Sequence, residues 1–404
     1  MAAGQLYDYI IAVVATGVMV ISSITAVTNF NFGKMLYNDE QQLIQVAMNI
    51  LNTLLLDPGD PHDWGLRYSV DEENVRVFLN ESEIRRFGLA QSGSSTTYVL
   101  DPNKVSWLVG DTPYGEGLQL ISYERVRDLL GLQGYGFSIR IISPLVVSVN
   151  GLEEKLNDAL NGESTDISFS VSVKRYSDLS SIPNAKVTAT ILYSKKERDT
   201  FLTYPIQASN FTDKFGECHI SGLTVETPIS FIVAILQVNA ANLSSVSTFY
   251  AGAPPGYAAG INILQEYLIL THPKKIGNPN EARFIQNICL LKKSGKLVVV
   301  YNSTGSNDIL NWGSLDNWVR LVEGLSDNDV SLIIVTISAH PPEPPGAGGR
   351  RQGVLVVGPY PACFGSRVIS YGGAMQQSAS VKVSRIVEIG GMLYIFELTV
   401  WKEL

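Results

Sequence analysis

The sequence predicts an α+β protein: a long N-terminal transmembrane and amphipathic helix followed by β-rich domains that include a β-sandwich. Three observations predict it. Tyr9 to Thr28 (YIIAVVATGVMVISSITAVT) carries no charge, and a helix of that length spans roughly 30 Å, the thickness of a bilayer's hydrocarbon core. From Thr165 onward apolar residues recur at every second position, as a half-buried strand requires. Gly (35) and Pro (18) are frequent, which favours strands and turns over helices.

Composition narrows the function. The 404 residues suffice for two to four domains. Net charge is −8, with no Lys/Arg cluster longer than two. That excludes a basic nucleic-acid footprint and argues against an anionic-lipid clamp. Cys218, Cys289 and Cys363 cannot all pair within one chain; they leave one long-range disulfide with a free thiol, or three buried thiols. No cofactor follows from either. Asn-x-Ser/Thr sequons stand at Asn80, Asn210, Asn242 and Asn302, all after the apolar segment, in agreement with an extracellular location of the bulk of the chain.

The first element is the N-terminal helix, residues 1–57. Met1 to Asp8 holds no Lys or Arg, and the apolar run is too long for an ordinary signal-peptide core, so the segment reads as retained. Asn29 to Leu56 has no Pro. Its apolar residues, among them Leu43, Val46, Ala47, Ile50, Leu51 and Leu54, recur at three- and four-residue steps until Asp57-Pro58-Gly59. The spacing predicts one helix of about 50 residues, the first half in lipid or a bundle, the second on a globular head. Small residues (Ala12, Ala15, Gly17, Ser22, Ala26) suit close helix packing.

This layout resembles archaeal type IV pilin-like proteins with a class III signal, cut just before the apolar helix. The matching residues are Gly4 and Gln5, followed by Leu6-Tyr7-Asp8-Tyr9-Ile10. The leader lacks a basic residue before Gly4, and the acid is Asp8 rather than a Glu one position later. The resemblance implies processing at Gly4–Gln5 and assembly with copies or other pilin-like subunits through residues 5–56.

A small α+β head is expected over 58–162. Asp57 to Gly65 (DPGDPHDWG) is a turn-rich linker. His62 and Asp63 fall short of a metal set, and Trp64 is placed to plug the head. Asp101-Pro102 reads as a cap and first helical position, opening a helix through Leu108. Ser122 opens a second helix ended by Gly131, and Gly136 to Ile142 is a strand. In series, PGDPHDWG, FGLA (87–90), LDPNKVSWL (100–108), SYERVRDLLGL (122–132) and YGFSIRI (135–141) resemble the head of archaeal pilin-like membrane proteins.

A β-sandwich is expected over 163–250. Ile167, Phe169, Val171 and Val173 alternate with polar residues; VTATILY (187–193) and ISFIVAILQV (229–238) are further strands. Ile182-Pro-Asn-Ala-Lys-Val187, Thr212-Asp-x-x-Gly216 and Gly222-Leu223 resemble carboxypeptidase-regulatory-like, Ig-like modules, which implies a spacer or binding unit. Cys218 and His219 fall on opposite faces of their strand and do not chelate one metal.

The last region, 251–404, is expected to be a β-rich α+β domain. LVVVY (297–301) and SLIIVTI (331–337) are buried-strand runs. Between them Leu315, Trp318, Val319 and Val322 have helical spacing, a βαβ layout without a phosphate-binding glycine fingerprint. PPEPPGAGGRRQG (341–353) is either a plain exposed loop or a contact site for an acidic partner or glycan. Val381 to Ile389 and Met392 to Val400 flank Gly390-Gly391, a hairpin that would complete a sheet.

His62, His219, His272 and His340 are scattered, and no HExxH, GxSxG, Walker or CxxCH pattern occurs. The expectation is therefore a non-enzymatic structural surface protein without metal. It is a pilin-like or minor-pilin subunit, single-pass in the cell membrane or in a surface filament, with membrane lipid and sister subunits as partners. The alternative is a membrane-anchored binding protein for a glycan or protein ligand.

Overall fold

The computed structural model describes residues 16–20, 22–23, 40–71, 76–108, 111–112, 115–116, 121–197, 200–229, 231–241, 243–251, 260–264, 267–271, 283–292, 296–302, 309–310, 317–321, 330–338, 352–357, 368–374 and 379–403. In chain order, helix α1 covers 40–56. The short strand β1 (Val99–Leu100) and helices α2 (Pro102–Ser106) and α3 (Tyr123–Leu129) lead to strand β2 (Tyr135–Ile142). A second group follows: β3 (Leu145–Asn150), α4 (Leu152–Asn161), β4 (Asp166–Arg175), β5 (Lys186–Glu197), β6 (Thr200–Phe211), β7 (Glu217–Thr224), β8 (Phe231–Ala240) and β9 (Leu243–Tyr250). A third holds β10 (Gly260–Leu264), β11 (Tyr267–Thr271), β12 (Arg283–Lys292), β13 (Leu297–Asn302), β14 (Ile309–Leu310), β15 (Asn317–Leu321), β16 (Val330–Ser338) and β17 (Gln352–Val357). The chain ends with β18 (Ile369–Gly372), β19 (Ser380–Ile389) and β20 (Met392–Lys402).

The expected fold class is corrected. Among the described residues the protein is mainly β, with short helices and no long N-terminal helix. Among the described residues no helix is long and apolar enough to cross a membrane. The described residues of the N-terminal region, 16–20, 22–23 and 40–56, are helical. The half expected to pack on the head, α1, does so. Leu43, Ala47, Ile50, Leu51, Leu54 and Leu55 are buried on one side, while Glu40, Gln41, Gln45, Asn49 and Asn52 are exposed on the other. That is an amphipathic helix made to lie on a protein core, not to sit in lipid.

The head is closed by the two ends of the chain together. Its five-stranded sheet has the order β18-β2-β20-β19-β1, antiparallel except for β19 with β1. One continuous core joins α1, Trp64, Phe87, Trp107 and Phe137 to Tyr394, Phe396, Leu398 and Val400 of the final strand. The hairpin at Gly390-Gly391 is present, with both glycines at positive φ, 59° and 82°. The C-terminal hairpin thus belongs to the same sheet as β2, and everything from β3 to β17 is inserted between two paired neighbours, β2 and β18.

The DPGDPHDWG segment wraps the end of α1. Leu54 O accepts Leu89 N–H at 2.9 Å and Asp57 O accepts Ala90 N–H at 3.2 Å, so the last carbonyls of the helix are satisfied by the FGLA segment. Gly88 permits this approach: a Cβ there would lie 2.0 Å from Asp57 O. Trp64 is fully buried, and its Nε1 donates to Gly88 O at 2.9 Å. Asp101 caps α2 by accepting Asn103 N–H at 2.9 Å. From α2, fully buried Lys104 donates to Pro58 O and Ala90 O, both at 2.8 Å, and lies 3.9 Å from Asp101 Oδ2.

The inserted sandwich places a three-stranded sheet, β7-β4-β3, over a four-stranded sheet, β6-β5-β8-β9, around a core that includes Phe169, Val171, Val187, Ile191, Ile232 and Leu236. Constant-type Ig domains put the fourth strand beside the fifth; here β6 pairs with β5 instead. Glu197 is the register partner of Thr200, so a two-residue connection makes β5 and β6 a local hairpin. The other face of the four-stranded sheet is covered too. Leu192, Val233, Ile235 and Val246 pack with Cys289, Leu291 and Ile334 of the third group's sheet, β13-β12-β16-β17. A smaller sheet has the order β10-β11-β15. The helix expected from the spacing of Leu315, Trp318, Val319 and Val322, and its βαβ layout, are corrected: Asn317–Leu321 is a strand, antiparallel to Tyr267–Thr271. In isolation the 3.6-residue spacing and the Trp318/Arg320 against Val319/Leu321 alternation are equally legible, and sheet pairing decides between them.

Candidate contact surface

The end of the sandwich at which the chain enters from β2, through Ser143 and Pro144, carries two loops, 176–185 and 212–216. Thr212 joins them. It is 2 % exposed; its Oγ1 donates to Ile182 O at 2.7 Å and accepts Ala185 N–H at 2.8 Å. Its own N–H donates to Ala185 O, and Asn184 N–H donates to Thr212 O, each at 2.9 Å. Asp213 Oδ1 accepts Phe215 N–H at 2.8 Å and Glu217 N–H at 2.9 Å, fixing the turn. Gly216 has φ 74°, and a Cβ there would meet Val173 O at 2.6 Å. In the other loop Asp178 Oδ1 accepts Ser180 N–H at 3.0 Å and Ser180 Oγ–H at 2.7 Å. These bonds, then Arg175, hold the Asp178 carboxyl below the usual aspartate value.

This stitched frame presents three large apolar side chains to solvent: Leu179 (63 % exposed), Phe211 (60 %) and Phe215 (61 %). Lys214 Nζ sits 4.9 Å from the centroid of the Phe215 ring, and Lys186 is the register partner of Phe211. The sequence motif Thr212-Asp-x-x-Gly216 marks the turn. The exposed trio was missed, although two phenylalanines inside and beside a polar turn signal are the pattern that finds it.

The remaining candidate residues are dispersed. His219 Nδ1 lies 3.4 Å from Ser170 Oγ; the two are register partners on the exposed face of the three-stranded sheet, an ordinary cross-strand pair. Cys218, on the opposite face, and Cys289 are both buried. Burial, with Asp213 adding to it, raises the Cys218 pKa, and burial pushes Cys289 up to about 12, so neither is a thiolate at neutral pH. Cys363 lies outside the described residues. Asp63 pairs with Arg67 at 3.0 Å, and the hydrogen bond from Arg67 leads in lowering its pKa. Among the described residues no group of three His, Cys, Asp or Glu is arranged to hold a metal ion.

Of the sequons, Asn80 is half-buried and donates to Glu83 Oε1 at 3.3 Å. Asn210 is exposed and donates to His219 O at 2.9 Å. Its sequon hydroxyl, that of Thr212, is the buried link between the loops. Asn302 ends β13, and Asn242 lies outside the described residues. Gly17 and Ser22 are exposed, with open space where a Gly17 Cβ would stand and Ser22 Oγ donating to Met19 O at 3.0 Å. Gly4, Gln5, Ala12, Ala15 and Ala26 lie outside the described residues, as do 339–351 of the Pro-rich loop.

No family model matches the chain, and no curated protein matches it. Among solved structures, a trypsin-activated alpha-2-macroglobulin from Escherichia coli is similar over 60 % of this chain at 11 % identity, with a TM-score of 0.20. The chain spans 18 % of that structure's length. At that TM-score the likeness assigns neither fold nor function.

Proposed function

We propose that this chain is a structural display protein of a cell surface. Its uncharged N-terminal segment seats it among sister subunits or in lipid, and its β bodies are held outward for contact. One observation carries the reading. Val18, Met19 and Val20, inside the charge-free stretch, are 61 %, 68 % and 51 % exposed, and none of them is part of the described core of the head. Leaving such side chains in water forfeits about 1.5–3 kcal/mol each relative to full burial, so the segment calls for an apolar cover that the chain's own core does not supply. The resemblance of the 5–56 region to pilin-like subunits supports sister subunits as that cover. The test compares the parent chain with V18D/M19D/V20D by sedimentation velocity, with and without detergent. The expected result is a parent that assembles or binds micelles and a charged variant that stays monomeric with an unchanged urea transition. A parent that is monomeric in plain buffer and takes up no detergent overturns the reading.

A further inference from the structure

We infer that the loop end of the sandwich is a second attachment site, one that docks on an anionic lipid surface. It is independent of the N-terminal segment. Leu179, Phe211 and Phe215 project from loops locked by Thr212, Asp213 and Asp178, so presenting them requires no rearrangement. Lys214 and Lys186 stand beside Phe215 and Phe211, Lys174 lies near the end of β4, all three are exposed, and among the described residues none of them has a carboxylate at ion-pair distance. Of the acids at this end, Asp178 lies 3.6 Å from Arg175 and accepts from Ser180, Asp213 accepts two backbone N–H groups through Oδ1, and Glu217 is exposed at the start of β7. In a chain of net charge −8, this end sets Lys174, Arg175, Lys186 and Lys214 against Asp178, Asp213 and Glu217, a local excess of positive charge beside exposed aromatic and aliphatic groups. Apolar side chains that enter the headgroup region, flanked by lysines that stay at its surface, fit an anionic bilayer. A neutral apolar partner would leave the lysines uncompensated. The sequence hides this arrangement because the three lysines come from β4, the start of β5 and the 212–216 turn, so no run of basic residues forms.

The test uses the full chain carrying V18D/M19D/V20D, which removes the other apolar attachment, and vesicles of phosphatidylcholine with or without 30 % phosphatidylglycerol (~30 %, chosen to give a clearly negative surface). The expected result is co-sedimentation with the anionic vesicles only, lost in high salt and weakened about tenfold or more by F211S/F215S and by K186Q/K214Q. In the chain carrying F215W, brominated lipid should quench the added tryptophan. Equal binding to neutral vesicles, equal binding by F211S/F215S, or no binding to anionic vesicles overturns the inference and leaves this end to a protein partner. None of these outcomes touches the assembly measurement on the parent chain, so the two readings fail separately.

Discussion

Lys104 is fully buried, yet its position in the head is explicable donor by donor. An ammonium has three N–H groups; two reach the carbonyls of Pro58 and Ala90, and Asp101 lies on the remaining side. The amine thus ties the DPG turn after α1 to the FGLA segment. Burial lowers its pKa, against the upward pull of Asp101, Asp57 and Asp63. The sign for stability follows from proton counting. With the folded value below the unfolded one, the unfolded chain holds more protons between the two, so stability rises with pH across that window, up to about 10.5 where the free amine titrates. Lys104→Met should cost about 3 kcal/mol, because it strips two buried carbonyls of their donor, and it should abolish this alkaline gain. Urea unfolding at pH 7 and pH 10, read through tryptophan fluorescence, checks both; an unchanged midpoint would refute the tie. None of this was legible in LDPNKVSWL, where Lys104 reads as a surface residue of a short helix. The cap at Asp101 was legible, since Asp-Pro before a helix is a local signal that needs no partner from elsewhere.

At the scale of elements, local pairing was readable and layer number was not. The alternation of Ile167, Phe169, Val171 and Val173 gives a strand with one buried face, and β4 has one. ISFIVAILQV does not alternate, and VTATILY loses its alternation at Ile191-Leu192-Tyr193. Their continuous apolar character is what burial on both faces requires, and Leu192, Val233 and Ile235 indeed meet a second sheet. The sequence holds that information but not the identity of the covering sheet. The long N-terminal helix failed for a related reason. An uncharged run satisfies a length rule for lipid, but the rule does not say what takes up its apolar side chains. The loop stitch at the sandwich end offers a sharper test. Thr212→Val keeps shape and leaves Ala185 N–H and Ile182 O without their side-chain partner in a buried site, so it should cost about 1–3 kcal/mol. Thr212→Ser retains the hydroxyl and should cost less. Urea midpoints order the two, and faster exchange of the Ala185 amide in the valine variant would place the loss at the stitch; equal midpoints for valine and serine would remove the hydroxyl from the argument.

For the whole molecule, the decisive fact is that β2 and β18 are neighbours although the sandwich and the third sheet lie between them in sequence. Ile141 pairs with Ile369, and Ile142 with Ile395 of the final hairpin. A strand pattern shows that β2 and β20 are strands; it does not show that they meet, because the hydrophobic period of each is satisfied by any sheet. What makes them meet is the shared core. Trp64, Trp107 and Phe137 from the first part need Tyr394, Phe396, Leu398 and Val400 from the last. The entropy of closing the long intervening loop grows only with the logarithm of its length, so a large insertion is a small burden on that sheet. The same reasoning predicts that the head does not need the insertion. Joining residue 142 to residue 368 through a short Gly/Ser turn, after residue 40 as the start, should give a chain that unfolds in one cooperative urea transition, with the emission of Trp64, Trp107 and Trp401 characteristic of burial. Removing 380–404 from the same chain should abolish that transition, because the sheet then loses β19 and β20 and the core loses a full wall. If the joined head shows no cooperative transition, then β9, which touches β20, is part of what holds the head together, and the insertion is a structural partner rather than a passenger.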